Sequence, residues 1–165
     1  MAVLSANKER PVRLAHGELT TRTLPLAGYT NFGGGSTAHT VYSGSVVICD
    51  VSDTDGYYRA APAGGTTNSA SGDVFGGIAL EKQEVKAANT ADGSVEVTVA
   101  VNGVWGFPVS SVAITDIGAP IYAVDDNSIS TTSTNYWWIG TLVAWDSTYA
   151  WIDITHAVGR TNSAT

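Results

Sequence analysis

Residues 50–56, DVSDTDG, set carboxylates ahead of a glycine in the manner of a calcium loop. Aligning Gly56 with the glycine such a loop requires places Asp53 and Asp55 at its third and fifth ligand positions. The first position is then Val51 and the twelfth is Pro62, where a bidentate glutamate is needed, so the stretch reads as a solvated turn. The three histidines, His16, His39 and His156, come without HxH or HExxH spacing and read as surface residues. Cys49 closes the apolar run Val46-Val47-Ile48-Cys49 beside Asp50 and Asp53. A reactive thiolate needs positive surroundings, so Cys49 reads as a small buried hydrophobe. No G-x-S-x-G elbow, phosphate-binding glycine loop or dinucleotide fingerprint is present. These residues argue against an enzyme, and no metal or cofactor is expected.

A second kind of chemistry is adhesive. Tyr136, Trp137, Trp138, Trp145, Tyr149 and Trp151 fall within residues 135–154, and Trp105 stands apart from them. Strand alternation puts Tyr136 and Trp138 on one face and Trp137, Ile139, Val143 and Trp145 on the other. Large aromatics on both faces exceed what one small interior needs, leaving core filling, sugar stacking and a subunit interface as competing uses. Charge is equally uneven. Residues 1–22 hold Lys8, Arg10, Arg13 and Arg22 against Glu9 and Glu18 and carry +2, while the remainder carries −9 of the chain's −7 total. An acidic body repels nucleic-acid backbone, so no nucleic-acid partner is expected.

The elements that must position these groups are strands. The chain has 165 residues, of which only 14% are charged, with 35 Ser and Thr and 18 Gly. Val, Thr, Tyr and Trp outweigh the helix builders, which predicts an all-β protein with one core. No stretch is long and apolar enough to span a membrane, and nothing in the N-terminal residues marks secretion, so the chain is expected to fold in a reducing cytoplasm. Strands are predicted at 42–51, 57–61, 74–80, 94–101, 104–109, 120–124, 129–132, 136–145 and 149–154, with a helical turn near 110–115. Within them, Val95, Val97, Val99 and Val101 alternate toward Asn102-Gly103, and Trp105 and Phe107 follow. Asn-Gly between alternating apolar runs predicts a two-residue hairpin with Ala100 opposite Trp105 and Thr98 opposite Phe107. Both of its faces would be partly apolar.

Residues 1–40 lack sustained periodicity, contain Pro11 and Pro25, and include the linker-like run NFGGGSTAHT. They read as an extended N-terminal arm preceding a body at 41–165. The arm lacks a core of its own and could add a strand to an exposed sheet edge, its four basic side chains reaching a negatively charged partner. Its deletion to residue 24 is expected to leave a folded body with weakened attachment.

The order of GDVFGGIALEK (72–82), DGSVEVTVAVNGVWGFPV (92–109), IGAPIYAVDDNSIST (117–131) and WIGTLVAWDSTYAWIDI (138–154) resembles small tailed-bacteriophage capsid decoration, or cement, proteins. The resemblance implies a small β-barrel or β-tulip-like body, a homotrimer on the outer capsid surface of the virion, and clamping of neighbouring major capsid protein subunits. Interface candidates are Lys8, Arg10, Arg13, Arg22, Trp105, Phe107, Trp137 and Trp138. The competing expectation is a carbohydrate-binding or adhesin-type β module on a phage surface or tail, with Trp137, Trp138 or Trp151 as the stacking platform.

Overall fold

Among residues 3–14, 17–32, 36–51, 56–63 and 72–161, which the computed structural model describes, the short apolar runs form thirteen strands. They are β1 (Val12–Arg13), β2 (Thr21–Pro25), β3 (His39–Val41), β4 (Val46–Cys49), β5 (Tyr58–Ala60), β6 (Val74–Ala79) and β7 (Gln83–Val85). The series continues with β8 (Glu96–Ala100), β9 (Val104–Pro108), β10 (Pro120–Ala123), β11 (Ile129–Ser130), β12 (Trp137–Trp145) and β13 (Tyr149–Asp153). A 3₁₀ turn spans Ile114–Asp116, overlapping only the last two residues of the helical turn predicted near 110–115.

The strands build three antiparallel sheets: β1-β9-β13-β12-β10-β11, β2-β8-β6-β4-β5 and the ribbon β3-β7. The chain is all-β, as composition predicts. The barrel or tulip detail is not found: the first large sheet ends on β1 and β11, the second on β2 and β5, and neither closes on itself among the described residues. A barrel abolishes edges, whereas this fold keeps four on its large sheets.

Strand alternation sorts the apolar residues into two cores. Val46, Ile48, Phe75, Ile78 and Ala100 of the five-stranded sheet meet Trp105, Phe107, Ile121, Trp137, Ile139, Leu142 and Ile152 of the six-stranded sheet. The opposite face of the five-stranded sheet carries Val47, Ala79, Val97 and Val99, and packs on Leu26, Val41 and Val85. The five-stranded sheet is thus a middle layer, buried on both faces. That is why the valine run looked apolar on either side.

The hairpin expected at Asn102-Gly103 does not form. β8 pairs with β2 and β6, while β9 pairs with β1 and β13, so the turn carries the chain from one sheet to the other. The N-terminal strands win both edges: Thr21–Pro25 lies along β8, and Val12 and Arg13 lie along Trp105 and Val104. Asn102 supports this exchange by accepting from Thr20 N at 2.8 Å and donating to Glu18 O at 3.2 Å. Gly103 has φ +100°, and a side chain there would strike Leu14 and Val12 of the N-terminal segment.

A second difference lies in β12. Trp137 and Ile139 point inward as alternation predicts, but a bulge against β10, where Trp138 and Gly140 face the consecutive residues Tyr122 and Ile121, resets the phase. Leu142 becomes fully buried and Val143 turns outward, 44% exposed.

Candidate functional site

The residues expected to act at an interface divide into those the fold consumes and those it displays. Their dividing line is the N-terminal segment. Lys8 N donates to Ser43 O at 2.8 Å and Gly106 N donates to Pro11 O at 2.9 Å, so the segment is tied to the turn that leads into β4 and to β9. Farther along, Leu24, Leu26 and Ala27 are buried, and Leu24 and Leu26 join the second core. Burial at such positions stabilises by roughly 1.5–3 kcal/mol per large side chain. Residues 3–14 and 17–27 therefore run along the sandwich without helix, and the chain turns at 29–31. This packing argues against the expectation that residues 1–24 are dispensable for folding.

Arg10 anchors the segment. It is only 7% exposed and lies with its guanidinium carbon 4.0 Å from the centre of the Phe107 ring. Its Nε donates to Gly44 O at 2.5 Å, and its Nη2 donates to Asp126 O at 3.2 Å and to Asn127 Oδ1 at 3.1 Å. Nη1 is buried without a hydrogen-bond partner among the described residues. Burial lowers the Arg10 pKa to about 10, and the nearby Asp126 and Asp125 offset part of that effect. Asp126 completes the knot from below, accepting from Leu4 N at 2.8 Å and from Ser45 Oγ at 2.8 Å. Burial pushes its carboxyl above the ordinary range, against the pull of those hydrogen bonds and of Arg10. Asp125, also buried, accepts from Asn127 N at 2.8 Å and Ser128 N at 2.6 Å and so shapes the turn that presents Asn127.

Arg10, expected to reach a partner, thus turns inward to its own body, because an acidic turn and a phenylalanine face await it there. Phe107 is fully buried beneath it and Trp105 is 4% exposed, its indole N–H donating to Asn102 O at 2.9 Å. Trp137 is enclosed in the core at 1% exposure, its indole N–H donating to Asp73 Oδ2 at 2.9 Å. It offers no ring face to a sugar. Trp138 is half-buried and donates to Gly140 O at 3.0 Å. Trp151, the third stacking candidate, is covered by Arg13, whose guanidinium carbon sits 3.6 Å from the ring centre.

The displayed residues form an edge strip. Arg13 and Arg22 are exposed on β1 and β2, the outer strands of the two large sheets, and Lys8 is half-buried between them and the Asn127 turn. Val3, Val12 and Leu14 are 43%, 39% and 38% exposed, a substantial part of the large apolar surface on the described residues. A groove of about 360 Å³ runs alongside, lined by Lys8, Arg10, Val12, Leu19, Leu80 and Trp105 among others. Structure brings Lys8, Arg10, Phe107, Trp105 and Arg13 into this one neighbourhood and leaves Trp137 and Trp138 two strands away on β12.

Sequence reasoning missed Asp126, Asn127, Ser45 and Gly44 as the receptors for the segment. The only signal was the paired acid in Asp125-Asp126, which also reads as an ordinary turn. The carboxylates Asp53 and Asp55 and the histidine His16 lie outside the described residues. His39, expected at the surface, is half-buried on β3, stacked on Phe32 with ring centres 3.8 Å apart and hydrogen-bonded to Ala27 O at 2.9 Å. Burial lowers its pKa. Cys49 is buried, and burial raises its thiol pKa, as does the charge of Asp73 and Asp50. No group of three or more metal-ligating side chains occurs among the described residues. Comparison of the chain with protein-family models, with curated proteins and with solved structures finds no match.

Proposed function

We propose that the protein is a structural capsid decoration (cement) protein. It binds the outer surface of a phage head as a homotrimer and clamps neighbouring subunits of the major capsid protein. The observation that carries this reading is the edge strip. Val12, Arg13 and Leu14 stand exposed on an edge whose backbone is anchored by the buried Arg10 and Asp126. Adhesive side chains held on a rigid edge lose little freedom on docking, which favours binding. The resemblance of the motif order to that of cement proteins supports the same reading. Binding the assembled shell alone would stabilise it by mass action, and several modest contacts per trimer would add through effective concentration.

The test compares heads with and without the protein for thermal rupture. Saturated heads should rupture at a higher temperature, and equal rupture temperatures at full occupancy would refute the proposal. A Val12→Asp, Leu14→Asp variant that keeps its own melting temperature should attach more weakly. Added salt should also weaken attachment of the intact protein by screening Arg13 and Arg22.

A further inference from the structure

Lys8 and Asn127 lie 119 positions apart in the chain, yet the lysine amine donates to the carboxamide oxygen of Asn127 at 3.2 Å. The same oxygen accepts from Arg10 Nη2 at 3.1 Å. Both partners are held by backbone. Lys8 N is bonded to Ser43 O at 2.8 Å, and Asn127 sits in the turn closed by Val124 N to Ser128 O at 2.8 Å and capped by Asp125. A primary amine hydrogen-bonded to a carboxamide oxygen that a guanidinium also holds brings the two reactants of an amide exchange within reach of each other.

We propose that Lys8 and Asn127 join in an intramolecular isopeptide bond. The half-exposed Lys8 first gives one proton to solvent. The neutral amine then donates its lone pair to Asn127 Cγ, and the carbonyl π pair moves onto Oδ1. Arg10 Nη2 already donates to that oxygen and stabilises the negative charge as it develops. The intermediate collapses as a proton passes from the attacking nitrogen to Nδ2, the Cγ–Nδ2 bond breaks, and ammonia leaves. One carbon–nitrogen bond forms and one breaks, with no change of oxidation state and no co-reactant. Holding both groups in place converts a sluggish bimolecular reaction into an intramolecular one. Burial and the positive charge of Arg10 also keep the Lys8 amine below its ordinary pKa, which enlarges its neutral fraction. The product ties the N-terminal strip covalently to the turn that receives it.

The experiment is intact-mass measurement on the purified full-length chain, followed by peptide mapping. The expected mass is that of the sequence less one ammonia, after allowing for any removal of Met1. Digestion should release a branched peptide joining the Lys8 segment to the Asn127 segment. Lys8→Arg and Asn127→Ser should each restore the full sequence mass and abolish the branched peptide. Succinimide formation at Asn102-Gly103 would lose the same mass, but it would persist in Lys8→Arg and give no branched peptide. That outcome would overturn the proposal. So would a full sequence mass in the wild-type chain after prolonged incubation at mildly alkaline pH, a readout independent of whether any variant folds.

Discussion

Replacing Arg10 by leucine tests whether the N-terminal segment is a structural member or a loose appendage. The substitution keeps an aliphatic stem over Phe107 and removes the guanidinium. Three hydrogen bonds go with it, to Gly44 O, Asp126 O and Asn127 Oδ1. Hydrogen bonds from a charged group are worth about 1.5–3 kcal/mol each, but their plain sum overstates the loss. Arg10 is itself desolvated, and its Nη1 already lacks a partner among the described residues, so leucine relieves those costs. Against that relief, Asp125 and Asp126 keep their burial and lose the cation facing them. Breaking one side of a buried charged arrangement costs about 3–5 kcal/mol, and the lower end suits a case with compensating relief.

A loss of about 3 kcal/mol lowers the melting temperature of a chain this size by roughly 6–12 °C. Thermal unfolding followed by tryptophan fluorescence reads the change directly. Two companions sharpen it. Arg10→Lys keeps the charge and loses the fork, and should fall between wild type and Arg10→Leu. Arg22→Ala, on the exposed outer strand, should stay within about 0.5 kcal/mol of wild type. An Arg10→Leu protein melting within about 2 °C of wild type would refute the anchor.

Other perturbations follow from the same geometry. Removing residues 1–24 deletes β1, most of β2 with Leu24, and the Leu4 and Arg10 donors to Asp126, so the truncated chain should melt well below the intact one and show altered circular dichroism. The folded Asp126 carboxyl holds its proton above the ordinary value of 3.8, so its contribution to stability is full below that value and fades as pH rises through the raised one. Asp126→Asn has no such titration, and its melting temperature relative to wild type should therefore improve between about pH 4 and pH 7; a flat difference would refute the assignment. Gly77 has φ +137° and lies where a side chain would strike the carbonyl of Ala100, so Gly77→Ala should be strongly destabilising. Gly118→Ala, at φ +94° with open space around it, should cost only the backbone strain, which chemical denaturation of the two variants would rank.

How much of this was legible depends on whether the determinant is local. All nine predicted strands appear, each trimmed at its ends, because alternation and turn residues are carried by neighbours in sequence. Four have no counterpart among those nine, β1, β2, β3 and β7, although β1 and β2 do lie on sheet edges, as the arm was expected to. Val12–Arg13 and Gln83–Val85 are too short for a period to register, and Thr21–Pro25 is mostly polar and exposed. They are strands because a partner edge is free beside them. The site divides in the same way. A basic N-terminal segment was visible in composition, whereas the inward turn of Arg10 depends on Gly44 and Asp126, both distant in sequence.

The failed hairpin at Asn102-Gly103 joins these two lessons. Local chemistry favoured a tight turn, and the chain does bend there, with Gly103 in the left-handed region. A turn fixes only where the chain reverses; pairing is decided by which edges are best filled. Val97 and Val99 are completely buried only because β8 lies in a middle layer, and a β8–β9 hairpin would withdraw β9 from the opposing sheet. Trp105 and Phe107 would then leave the first core, where both are nearly or wholly buried. Keeping the strands in separate sheets fills both cores but leaves two neighbouring edges bare. The N-terminal segment covers both, with β2 on β8 and β1 on β9. Its basic and apolar side chains are outermost on the sandwich for that reason, so the sheet exchange at Asn102-Gly103 also places the adhesive strip.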